Sequence, residues 1–255
     1  MNKLSNLFKK KSSDLLSIYL TAGYPDVKST LSIAQMLNNS KVDFIELGMP
    51  FSDPLADGPT IQETSKIALE KGMNFDSYFN LAKQIHQTTT LPIVFMGYYN
   101  QILKIGVEKF CDFCNTSGID ALIIPDLPIE EYENEYQELF NKHNLTISFL
   151  VTPNTELERV KKIIKLSSAF VYVVSDNSIT GNKTNQNQKL VTYLEKIQSL
   201  TNKKTAIVGF GIHNNKSYTN VCKYTNGAII GTAFLKSINL DNPIKSSKRF
   251  IESIK

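Results

Sequence analysis

The sequence predicts an α/β fold, a single (β/α)8 TIM barrel spanning residues 1–255, with a short N-terminal helix and an extra helix after the second strand. Three observations predict it. Eight short apolar, β-branched runs recur along the chain; segments of helical periodicity separate them; and 255 residues suit one barrel without a second domain. Near-continuous apolar runs, rather than alternating ones, are what strands covered on both faces require. Parallel strands need helical crossovers, and eight tandem βα units close most economically into a barrel.

The opening segment, MNKLSNLFKKKSSD, is short, basic and mildly amphipathic, without the apolar stretch of a targeting peptide. It reads as a small helix laying Leu4, Leu7 and Phe8 against the barrel. The strand runs follow as LSIYL (16–20), VDFIELG (42–48), LPIVFMG (91–97) and IDALIIPD (119–126). They continue as LTISFLVT (145–152), FVYVVS (170–175), TAIVGFG (205–211) and GAIIGT (227–232). The interval between the second and third runs has room for two helices, Thr60–Gly72 and Phe75–Thr88. After the sixth run, SDNSITGNKTNQNQ is too hydrophilic to pack and reads as a loop at the place where a barrel carries its lid. A doubly wound open sheet is the rival architecture, but the glycine fingerprint expected after its first strand is absent. No linker or shift of composition divides the chain.

Composition narrows the function classes. Hydrophobic residues make up 42% and charged residues 20%, an ordinary balance for a globular protein with a large core. The net charge of +4 comes mostly from scattered lysines, which is a solvated surface rather than a nucleic-acid patch. The longest apolar runs are too short to cross a membrane. Three cysteines point to a reducing, cytoplasmic setting. Cys111 and Cys114 form a C-x-x-C inside a helical stretch and read as ordinary helix residues, since a zinc site needs four ligands. His86, His143 and His213 lack ligand spacing, so no metal is expected.

Residues that end barrel strands at the C-terminal face point at substrate. Glu46, inside the apolar IELG, should face the barrel mouth, where desolvation raises a carboxyl toward the working range of a general acid or base. The lesser alternative is a buried carboxyl that braces backbone groups. Asp53 and Asp57 lie in the irregular loop PFSDPLADGP, and either could instead cap the helix beginning near Thr60. Asp126, in IIPDLP, is a candidate site residue or a loop brace. Gly209, Gly211, Gly231 and Gly181 would let backbone N–H groups approach an oxyanion, and the loops after strands seven and eight are where barrels commonly bind phosphate.

At ELGMPFSDPLADGPTIQ (46–62) the chain closely resembles the tryptophan synthase α subunit family. YLTAGYPD, MGYYN, PDLPIEE, VGFGI and GAIIGTA extend that resemblance, in order, over nearly the whole length. The resemblance implies cleavage of indole-3-glycerol phosphate to indole and glyceraldehyde 3-phosphate, a retro-aldol reaction without a metal or organic cofactor. It implies Glu46 as the acid/base and Asp57 as the group that hydrogen-bonds the indole N–H. Tyr172 would assist near the glycerol portion. It assigns Gly181, Gly211, Gly231 and Thr232 to a phosphate cradle, and Tyr19, Met96, Tyr98 and Leu150 to an indole pocket. It further implies a pyridoxal-phosphate-bearing β subunit as partner in an α2β2 tetramer, met by Pro50, Asp53 and Asn100. One departure stands out. The family commonly carries an Arg and a Gly ahead of the Val-Thr-Gly after the sixth strand; here the segment runs Ser175 to Gly181 without them, which bears on lid closure and coupling rather than reaction type. Two alternatives remain open at this point: another phosphate-binding barrel enzyme, such as a sugar-phosphate isomerase or epimerase, or a non-catalytic subunit that only activates a β partner.

Overall fold

Nine parallel strands run in one nearly closed sheet in the computed structural model, which describes residues 2–175, 183–201 and 205–255, side chains of 183–187 excepted. They are β1 (Leu15–Thr21), β2 (Phe44–Gly48), β3 (Ile93–Met96), β4 (Ala121–Ile123), β5 (Thr146–Ser148), β6 (Leu150–Val151), β7 (Val171–Val174), β8 (Ala206–Gly209) and β9 (Gly227–Ile230). The order β5-β4-β3-β2-β1-β9-β8-β7-β6 places the two sheet ends next to each other in the chain. The expected eight runs are all present; the first extends one residue further at each end, the fifth is divided at Phe149, and the others are trimmed at one or both ends.

The division has a hydrogen-bonding cause. Serine hydroxyls stand in for ladder groups where β5 passes the approach to β7. Ile147 N donates to Ser168 Oγ at 3.0 Å, Phe149 N to Ser167 Oγ at 3.2 Å, and Phe170 N to Ser148 Oγ at 3.3 Å. Backbone bonds from Ala169 N to Ile147 O and from Tyr172 N to Phe149 O complete the seam. The donors and acceptors of a buried strand must be satisfied somewhere, and here side chains share the task with the ladder.

The floor of the barrel is closed by the helix Lys3–Lys10. Asn2 caps it by accepting from Ser5 N at 2.9 Å, and Leu4 is buried beneath it. Phe8 meets Phe44 and Phe170 edge-on, each at 6.1 Å between ring centres. The buried Asp120 ties this helix down: Oδ1 accepts from Lys3 N at 2.6 Å while Oδ2 accepts from Ile93 N at 3.1 Å, joining the helix to β3.

Two helices, Pro59–Glu70 and Phe75–Thr88, lie between β2 and β3. Tyr78 of the second reaches back to donate to Leu47 O at 2.8 Å, fixing the middle of β2. Cys111 and Cys114 are buried members of the helix Val107–Ser117. The polar stretch expected to form a loop after the sixth predicted strand is helical from Lys183, where the helix Lys183–Thr201 begins. Residues 176–182 lie outside the described residues.

Candidate active site

At the C-terminal ends of the strands a cavity opens, bounded by Tyr19 of β1, Glu46 of β2, Met96 of β3, Leu150 of β6 and Tyr172 of β7. Asp57, Phe210, Gly211, Gly231 and Thr232 complete its rim from the loops after β2, β8 and β9. Strand alternation delivers these side chains to one place. Glu46 pairs in register with Tyr19 and with Val94, and Leu150 pairs with Tyr172.

Glu46 is 3% exposed, and its Oε2 has no hydrogen-bond partner among the described residues. Desolvation first, and the nearby Asp57 carboxylate second, raise its pKa from an ordinary 4.5 to about 8. A brace would have both oxygens bonded; this carboxyl leaves Oε2 without a partner. Asp57 is also raised by burial, against which the hydroxyl of Tyr98 acts by donating to Oδ2 at 3.0 Å. Asp57 does not cap the following helix. Gly58 occupies that position with no side-chain bond and Pro59 begins the helix, an arrangement that leaves the Asp57 carboxylate free to face the cavity.

Tyr98, expected on the pocket wall, lies behind it. The ring is buried against Phe51 at 5.2 Å, and its hydroxyl is held by Asp57 and by the amide of Ala56, which donates to it at 3.0 Å. Tyr19 and Tyr172 do line the cavity, and each depends on a glycine across the sheet. A β-carbon at Gly48 would stand 2.1 Å from the Tyr19 hydroxyl oxygen, and one at Gly209 would stand 2.0 Å from that of Tyr172. Gly209, read from sequence as a place for oxyanion approach, is therefore a packing glycine. Gly211 (φ +72°) does turn the backbone at the rim, and Gly231 precedes the short helix Thr232–Ser237. Gly181 lies outside the described residues.

Asp126 is a brace: its Oδ1 accepts from Tyr99 N at 2.8 Å and stays away from the cavity. Of the residues expected to meet a partner, Asp53 and Asn100 are exposed and Pro50 is buried, with Pro50 O accepting from Gln101 Nε2 at 2.9 Å. Sequence reasoning missed Phe210. It sits at φ +71° between two glycines, is 42% exposed, and presents its ring edge-on to Tyr172 at 6.4 Å. Ser175 holds it there, donating to Phe210 O at 2.8 Å. The only hint of this in the sequence is the Gly-Phe-Gly triplet itself. Among the described residues no group of three or more His, Cys, Asp or Glu side chains could hold a metal ion.

Comparison with known proteins agrees with the geometry. The tryptophan synthase alpha chain family profile matches residues 4–255. The tryptophan synthase alpha chain of Flavobacterium psychrophilum is 45% identical over 254 residues, covering 100% of both chains. A Pyrococcus furiosus structure, described as the basis of mutual activation of the tryptophan synthase a2b2 complex, superposes with a TM-score of 0.87. It is 33% identical and covers 96% of this chain and 98% of its own. A tryptophan synthase chain from M. tuberculosis gives a TM-score of 0.87 at 26% identity, covering 100% of this chain and 98% of its own. Full-length agreement in sequence and fold leaves the sugar-phosphate isomerase alternative without support, and the chain belongs to the tryptophan synthase alpha chain family.

Proposed function

We propose that the cavity cleaves indole-3-glycerol phosphate to indole and glyceraldehyde 3-phosphate, with Glu46 moving the protons and Asp57 holding the indole nitrogen. One observation carries this reading: a buried carboxyl with an unpartnered oxygen at the barrel mouth, sharing its cavity with a second carboxyl. With a pKa of about 8, Glu46 is mostly protonated at neutral pH and can deliver a proton to the ring carbon that bears the side chain. Positive charge then appears at the ring nitrogen, where the Asp57 carboxylate stabilises it. The Glu46 carboxylate next takes the proton of the adjoining glycerol hydroxyl. As that O–H electron pair forms the aldehyde carbonyl, the carbon–carbon bond breaks and its electrons restore the indole. Glu46 ends protonated, as it began, so the reaction needs no oxidant or further acid.

The apolar walls from Met96, Leu150 and Tyr19 suit a flat bicyclic ring, and Gly211, Gly231 and Thr232 suit the phosphate at the rim after β8 and β9. Held at both ends, the substrate presents the scissile bond to Glu46 without a search. The loop 50–58, exposed at Ser52, Asp53, Leu55 and Ala56, forms with Asn100 the face we assign to a pyridoxal-phosphate-bearing β subunit in an α2β2 assembly, which would receive the indole. Three free cysteines, and the absence from the described residues of a helix long and apolar enough to cross a membrane, support a cytoplasmic setting. The test is indole release from indole-3-glycerol phosphate by the purified chain, alone and with a β subunit, beside Glu46→Gln. A loss of about 10²–10⁴ in kcat is expected for that variant; an unchanged kcat would remove Glu46 from the chemistry.

A further inference from the structure

The loop 50–58 has no regular secondary structure, yet it must present Asp57 to the cavity at a fixed distance from Glu46. A carboxylate on such a loop keeps its rotamer only if something holds it. One side chain does this from outside the cavity. We propose that Tyr98 is the positioning residue for Asp57, its phenol bridging the carboxylate and the loop backbone at Ala56. The proposal rests on the use of Asp57 described above.

The geometry leaves the hydroxyl little else to do. Its one hydrogen goes to Asp57 Oδ2 and its lone pair accepts Ala56 N–H, both at 3.0 Å. Tyr98 is itself immobilised on three sides. Its ring packs on Phe51 of the same loop, its amide donates to Gln101 Oε1 at 3.1 Å, and Gln101 donates in turn to Pro50 O at 2.9 Å. Both ends of the loop are thereby fastened to the residues that follow β3. The short turn at Gly97 makes room for this: a β-carbon there would meet Phe95 Cζ at 2.5 Å and Gln101 Oε1 at 3.3 Å. The phenol also acts on the charge of Asp57, since a bond donated to a carboxylate favours the ionised form that burial opposes. Burial and the Tyr98 hydroxyl are what act on Asp57, and the Asp57 carboxylate in turn raises the titratable groups around it, Glu46 of β2, Tyr19 of β1, Tyr172 of β7 and Tyr98 itself.

The experiment is a double-mutant cycle on the full chain, alone and in complex with a β subunit, using Tyr98→Phe and Asp57→Asn with indole release as the readout. Tyr98→Phe keeps the ring on Phe51 and removes only the bridge. The expected result is a fall in kcat of about tenfold or more, the usual worth of a hydrogen bond to a charged group, with KM within about twofold. The acidic limb of the kcat profile should move to higher pH, because Asp57 loses the bond that favours its ionised form. In the Asp57→Asn background the same substitution should change kcat by less than about twofold, because a residue that acts through Asp57 has nothing left to hold. Independent, multiplicative losses would overturn the proposal, whatever the melting temperature of the variants, as would a rise in KM with kcat intact. Full activity of Asp57→Asn would instead overturn the underlying reading of Asp57; an inert Tyr98→Phe beside an impaired Asp57→Asn would overturn only the bridge.

Discussion

A β-carbon placed on Gly209 would stand 2.0 Å from the Tyr172 hydroxyl oxygen, so the flat lie of that ring across β8 depends on a missing side chain. Gly209→Ala should push the ring into the cavity at a cost in stability of about 1–3 kcal/mol, as overpacked cores show. Loss of kcat/KM for indole-3-glycerol phosphate together with a changed near-ultraviolet circular dichroism spectrum is the expected outcome. A fully active variant with an unaltered spectrum would show that the ring has another way to sit.

The raised pKa of Glu46 has a consequence for stability with a definite sign. Between an ordinary 4.5 and about 8, the folded protein holds a proton that the unfolded chain has released. The contribution is therefore fully present below pH 4.5 and is lost as pH rises toward 8, with a slope of at most about 1.4 kcal/mol per pH unit. Urea unfolding of the parent and of Glu46→Gln across this window checks it. Their difference should tilt toward the variant as pH rises; parallel curves would mean that Glu46 ionises normally in the folded state.

Asp120 offers a stability test away from the chemistry. Asp120→Ala strands the buried amide of Ile93 and the half-buried amide of Lys3, and leaving them unpaired should cost about 1–3 kcal/mol. The urea midpoint should fall accordingly while indole release at low temperature is retained, since no part of this network reaches the cavity.

The C-x-x-C pair should be chemically silent. Burial pushes the Cys111 thiol up to about 12 and Cys114 well above its ordinary range, so neither forms the reactive thiolate at neutral pH. Iodoacetamide followed by mass spectrometry should leave both unmodified in the native protein and label both in guanidinium. Rapid native labelling of either would contradict the packed helix Val107–Ser117.

Sequence alone carried the barrel because buried parallel strands leave an unmistakable mark, and it located Glu46 because a lone acid in an apolar strand stands out. The parts it did not carry share one property: they depend on groups far apart in the chain. The split of the fifth run follows from Ser167 and Ser168, which carry no strand pattern of their own. The resemblance put Tyr98 on the pocket wall, since its bond to Asp57 spans two loops and leaves no mark in the sequence, and nothing in the strand run 42–48 shows that Tyr19 crosses Gly48. Phe210 was hidden between glycines whose own conformational freedom seemed a sufficient explanation.

The floor of the barrel bears on how the chain is made. Phe8 has one ring neighbour early, Phe44, and another, Phe170, that is synthesised only after six strands. The helix Lys3–Lys10 is made before every strand of the sheet, yet it is among the last elements to find its full seat, and it must wait as a basic, amphipathic segment until the second half of the sheet arrives. Such long-range closure slows folding. It also gives the finished barrel a latch across its width, for Phe8 reaches both halves of the sheet from one side chain.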